Sequence, residues 1–400
     1  MSSTSRNWLG AIAAVVVIGC LATVAIVASR PQPSIADTPG GPIRVNANLD
    51  QCGKGWADSQ GGRISFAVTN SSLAGMEVYL ENASTGAVYA ELERLGSGAT
   101  ANFDVALGNG RYRFACLGDD SPATAGPTVT ISGARAGAKT TPGVLPVTAN
   151  ELYPAAKSYS AWVVARLSVL RTKAERLEAS IAARNPARAK LNWLDARDQY
   201  EQLGAAYGAF GDLDTAINGE PANGTTDATD PSLTGFRRIE YLLWARKPLA
   251  DALKPARQLV VNIQTLRTTF AATRFDPLDV GLRAHEILED AVQNELNGGV
   301  SDRSGTALAT VAANVRGTQQ VLSTLTGILT SRGYDVAATD AVLQRALLLA
   351  DSYRDGAGRW QRLSHLSTSQ HEELDSVFDQ AVEDLAPIAA ICDVRRAANS

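Results

Sequence analysis

Only three histidines occur in this 400-residue chain, His285, His365 and His371, and none falls between residues 43 and 133. A blue-copper centre needs two histidines and a cysteine, so that region cannot form one; Met76 is its single methionine. A zinc-protease site is equally hard to assemble. The HEILE stretch beginning at His285 has Glu289 where a second histidine would stand, and His365 and His371 are poorly spaced for one helix face. No GxSxG is present, and no cysteine has a nearby histidine to activate it. The chain therefore reads as a non-enzyme. Charge is scarce in either direction: 37 basic and 41 acidic residues leave a net charge of −4, with no basic cluster interleaved with aromatics. Nucleic acid is not an expected partner.

What is present begins with an uncharged run at residues 8–28, WLGAIAAVVVIGCLATVAIVA, flanked by Arg6 and Arg30. It is longer than the apolar core of an ordinary signal peptide, roughly 7–15 residues, and long enough to span a bilayer. Residues 1–40 are expected to form an uncleaved membrane anchor. Two other readings stand: a lipoprotein, because Val17-Ile18-Gly19-Cys20 resembles a lipobox whose Cys20 would be lipidated, and plain secretion. All three put the remaining chain outside the cytoplasmic membrane.

In that oxidising setting Cys52 and Cys116 are expected to pair, closing a loop that contributes about 4 kcal/mol in the chain-entropy model. The competing reading makes them two thiolate metal ligands. Cys392 is left over.

Residues 41–133 alternate with period two, as in RISFAVTN (Ile64, Phe66, Val68) and RYRFAC (Tyr112, Phe114, Cys116). Short alternating runs broken by Gly, Asn and Ser predict a Greek-key β-sandwich, with Gly108-Asn109-Gly110 as a hairpin turn. Residues 134–147 read as a linker. Across 148–400 apolar residues recur at three- and four-residue spacing, predicting an antiparallel helical bundle with helices at 151–184, 187–204 running on towards 217, 235–244, 250–270, 279–296, 304–331, 338–355 and 371–397. LSHLSTSQHEEL reads as a helix start capped by Ser or Thr.

The motif order resembles the EfeO family of extracytoplasmic iron-uptake proteins, in which a cupredoxin-like domain precedes an imelysin (peptidase-like) domain. DQYEQLGAAYGAFGDLDTAING (198–219), TGFRRIEYLLW (234–244), RAHEILEDA (283–291) and LATVAANVRGTQQVL (308–322) carry the resemblance. It implies a protein that binds or relays iron to an iron permease, with a haem peroxidase of the same system as a further partner. The imelysin site is centred on a helix-borne His-x-x-Glu; here the histidine position is Arg237 and the glutamate is Glu240. A second histidine position, in an Ala-His pair, is Arg197. Arginine offers donors only and cannot ligate a cation, so the motif is degenerate.

Three consequences are open: a structural Arg–Glu cluster, a basic pocket for an anionic chelate, or an altered metal site built from Glu240, His285 and Glu289. In the last, His285 and Glu289 share a helix face and Glu240 joins from another helix, able to hold Fe³⁺ or Zn²⁺. A buried His capped by a carboxylate explains the same spacing. Glu77 and Glu91 form a candidate secondary site for a hard cation with a thiolate, against the plainer reading of solvated strand faces. The loop 218–235 reads as a lid over the site, or as an ordinary surface loop. A metal-free envelope scaffold is the alternative to the uptake reading.

Overall fold

The computed structural model describes residues 41–118, 122–222, 225–273, 275–298 and 303–394. The N-terminal apolar run and Cys20 lie outside the described residues. Among those described, no helix is long and apolar enough to cross a membrane.

The alternating region folds as strands β1 (Ile43–Ala47), β2 (Ser59–Gln60), β3 (Gly62–Asn70), β4 (Met76–Asn82), β5 (Val88–Leu95), β6 (Thr100–Leu107), β7 (Gly110–Gly118), β8 (Thr124–Ala125) and β9 (Val129–Ser132). They form two sheets, β1-β3-β6 and β2-β9-β7-β4-β5, with β8 on β7. Period-two alternation turns Phe66, Val68 and Val105 of one sheet and Val78, Phe114 and Ile131 of the other into one shared core. Trp56 meets Phe66 and Phe114 edge-on at 5.1 and 5.5 Å. A disulfide joins Cys52 and Cys116 inside this core, so neither sulfur is a thiolate ligand.

Gly108-Asn109-Gly110 is not a hairpin turn. It carries the chain from one sheet to the other, because β6 pairs with β3 while β7 pairs with β4 and β9. A type I′ turn needs positive φ at both central residues, and Asn109 has no such φ; its side chain instead accepts the amide of Ala134 at 2.8 Å. The segment read as a linker is also pinned rather than free. Val144 exchanges two backbone hydrogen bonds with Val88, and Thr141 hydrogen-bonds the backbone of Ala106 in β6.

The helical half comprises α1 (Ala149–Ala182), α2 (Pro186–Glu201), α3 (Asp212–Asn218), α4 (Gly235–Trp244), α5 (Leu253–Phe270), α6 (Pro277–Asp290), α7 (Ala307–Ser331), α8 (Val336–Ser352) and α9 (Thr368–Cys392). Thr148 and Glu151 form a capping box at the start of α1, which then threads the bundle with Tyr159, Val163, Leu167 and Leu177 fully buried. The expected continuous helix after 187 breaks. Gly204 lies so close to Ile287 of α6 that a Cβ would come within 3.1 Å of it, and the chain tightens into a 3₁₀ segment, Gly204–Ala209, before α3. The Ser/Thr-capped start holds: Ser367 caps α9 in a capping box with Gln370.

A five-residue π-helical segment, Ala291–Glu295, continues α6. Its wider turn rotates whatever follows relative to an α-helix.

Candidate functional site

The site grows out of a clamp between α2 and α4. The Trp193 indole donates to the carbonyl of Phe236 at 2.9 Å. Gly235 is held at φ +63°, where a Cβ would fall 2.1 Å from the Ile217 carbonyl oxygen, so only glycine lets α4 start against the end of α3. One helical turn beyond each clamp residue lie Arg197 on α2 and Glu240 on α4.

Arg197 is 5% exposed and is held on several sides. Its guanidinium pairs with Glu201 at 2.7 Å and with Glu295 of the π segment at 3.9 Å, donates to Asn218, and lies 5.9 Å from the Phe236 ring. Burial alone would favour the neutral form, but Glu201 and Glu295, followed by Tyr207 and Glu240, more than offset it and raise its pKa. Asn314 of α7 donates to Glu201 at 3.2 Å, and Tyr200 donates to Asp214.

The two residues of the degenerate motif part company. Arg237 pairs with Asp227 of the preceding loop at 2.7 Å, and Asp227 lies 3.9 Å from Arg303. Glu240, 4% exposed, accepts the backbone amide of Ser304 at 2.8 Å. His285 Nδ1 sits 3.5 Å from Glu289. The three candidate ligands are thus not gathered: His285 and Glu289 meet, while Glu240 belongs to the Arg197 cluster. Among the described residues no group of three or more His, Cys, Asp or Glu side chains is set to hold a metal ion. His371 bonds the Leu363 carbonyl at 2.9 Å and His365 ends a 3₁₀ turn. In the sandwich, Tyr79 donates to Glu77 at 3.0 Å and is the cross-strand partner of Glu91. The disulfide leaves no thiolate there to join them.

A cleft of about 710 Å³ opens between α2, α3, α6 and the π segment, lined among others by Arg197, Glu201, Asp214, Glu289, Asp290 and Asn314. Arg237 and Arg283 also reach it. Glu201, Asp214, Glu295 and Asn314 went unnoticed in the sequence. The four-residue spacing of Arg197 and Glu201 was a usable signal; the others come from separate segments and had none.

Burial lifts the carboxyls of Glu201, Asp214 and Glu240 above the usual range, against the pull of Arg197 on each and of hydrogen bonds from Asn314, Tyr200 and Ser304 respectively. A carboxyl with a raised folded pKa binds its proton more tightly folded than unfolded. Its contribution to stability therefore falls as pH rises from the unfolded carboxylate range, about 4, through the folded value. Glu240→Gln should flatten that decline. Urea unfolding at a series of pH values between 4 and 8 reads the slope, and an unchanged slope would remove Glu240 from the account.

These features define a helical-bundle protein with a buried arginine–carboxylate cluster beneath an acidic cleft. The imelysin family, peptidase M75, matches residues 155–391, more than half of the sequence. The chain belongs to the imelysin family. It is also similar beyond that domain: the iron uptake system component EfeO of Escherichia coli strain K12 is 24% identical over 372 residues, covering 93% of this chain and 96% of its own. The EfeO of Shigella flexneri matches over the same extent.

Proposed function

We propose that this chain is a component of an iron-uptake system, working outside the cytoplasmic membrane to bind or relay iron towards a membrane permease, without chemistry of its own. The observation that carries the reading is the similarity to EfeO over nearly the whole of both chains, strand-rich half and bundle alike. The acidic cleft supports it as the place where iron is held. In this reading the permease and a haem peroxidase of the same system are the partners.

Within the cleft the candidate metal residues have unequal standing. Glu289 lines the cleft and has His285 beside it. Glu240 sits deeper, held by Ser304 and close enough to Arg197 to be felt electrostatically. Arg197 is committed to Glu201 and Glu295, which favours the structural Arg–Glu cluster over an anion pocket built on that residue.

The test is a titration of the metal-free protein with Fe²⁺ under anaerobic conditions, Fe³⁺-citrate, Cu²⁺ and Zn²⁺, followed by calorimetry and bound-metal analysis. Iron should bind one-to-one, and Glu289→Gln with Asp290→Asn should weaken it about tenfold, the equivalent of about 1.4 kcal/mol. Absence of iron binding by the unsubstituted protein would sink the uptake reading.

A further inference from the structure

We infer that the cleft takes its cargo as an intact complex cation, recognised through the ions' own ligands, rather than as a bare ion chelated by side chains. This rests on the iron reading above and specifies the form in which the metal is held.

The first observation is charge. Seven carboxylates and three guanidinium groups line the cleft, so its excess is negative and its ligand a cation. The second is size. A volume of about 710 Å³ far exceeds a bare ion. A water molecule takes about 30 Å³, so an ion with a full shell of six fits with room to spare.

The third observation is how the wall is held. Glu201 is engaged by Arg197 and Asn314, Asp214 by Tyr200, Glu286 by Arg283, Glu289 by His285 and Gln293, and Asp290 by Asn294. Direct coordination would pull these oxygens from their partners. An ionised carboxylate has about four acceptor sites, so it can keep its partner and still accept a hydrogen bond from a ligand on the metal. Small hard cations give up their water reluctantly, which favours the same outcome.

The fourth observation points at the ligand itself. Asn314 is 6% exposed and lines the cleft; its Nδ2 is spent on Glu201, but its buried Oδ1 has no hydrogen-bond partner among the described residues. A buried amide oxygen without a donor is costly, and a metal-bound water or ammine supplies one. A donor shell around a cation therefore matches both the acid wall and this oxygen.

The probe is hexaamminecobalt(III), whose six ammines do not exchange, so that it can bind only through them. The full chain is titrated calorimetrically with this complex, alone and in competition with anaerobic Fe²⁺. We expect one-to-one binding, mutual displacement by Fe²⁺, and about tenfold weaker binding in the Glu289→Gln/Asp290→Asn variant, in which a half-buried and an exposed carboxylate become amides of the same shape and whose unchanged urea unfolding is the control for the fold. Asn314→Ala should weaken it several-fold, beyond any loss of stability. Fe²⁺ that binds while the cobalt complex neither binds nor displaces it would overturn the inference and leave the iron reading standing. Cobalt binding indifferent to both variants would also overturn it, as diffuse surface attraction. Cobalt binding in the cleft without Fe²⁺ binding would support the complex-cation site and sink the iron reading. Failure of both ions would overturn both.

Discussion

Arg197→Leu should cost about 3–5 kcal/mol of stability, the range for removing one partner of a buried ion pair. The guanidinium is 5% exposed, faces Glu201 at 2.7 Å and Glu295 at 3.9 Å, and also lowers the pKa of Glu240. Leucine fills part of the volume and restores none of the charge. The buried carboxyls would then answer by taking up protons, so the deficit should shrink as pH falls towards 5. Urea unfolding at pH 8 and pH 5 measures both points. Arg197→Lys keeps a positive charge but loses the fork that reaches Glu201, Glu295 and Asn218 together, and should fall between the two. A loss below about 1 kcal/mol at pH 8 would mean that the cluster does not depend on this cation.

The second large effect is in the sandwich. Cys52→Ala with Cys116→Ala should destabilise it by about 4 kcal/mol, since the bond spans 64 positions of sequence and closing such a loop restricts the unfolded chain. Both sulfurs are buried, at 2% and 0% exposure, so two small cavities add to the loss. Thermal unfolding of the variant beside the parent, with and without reductant, checks the figure. Reductant should bring the parent close to the variant. If a chelator did so and reductant did not, the thiolate reading would be restored.

How much of this could be read from the sequence depends on whether the signal was local. The strand alternation through Ile64, Phe66 and Val68 and the start of α4 at Gly235 each rest on a few neighbouring residues and appear in the structure where the pattern put them; the Ser/Thr-capped start is also there, with Ser367 as the cap and the helix beginning at Thr368 rather than at 371. The end of α2 at Glu201 was not legible, and neither was the close approach of Gly204 to Ile287, which lies far away in sequence on α6. The turn at Asn109 failed for a similar reason: the dipeptide suits a hairpin, but the partner strands belong to different sheets. For the site, family resemblance pointed to Arg197, Arg237 and Glu240, and ligand chemistry said that arginine could not serve as its predecessor did. That Arg237 would turn to Asp227, and Arg197 to Glu201 and Glu295, required the packed bundle. Asn314 carries no signal of its own in a helix otherwise rich in apolar residues.

The π segment Ala291–Glu295 has a consequence for how such a site changes over generations. A π turn is an α turn with one residue added. Glu295 reaches Arg197 from inside that added turn, while Glu289 and Asp290 stand before it. A single-codon deletion there would leave Glu289 and Asp290 on α6 and swing Glu295, which also lines the cleft, by about 100° around the axis, out of the cluster. Gain or loss of one carboxylate at the arginine is thus one reading-frame-preserving event away, with no change needed in Arg197, Glu201, Glu289 or Asp290 themselves.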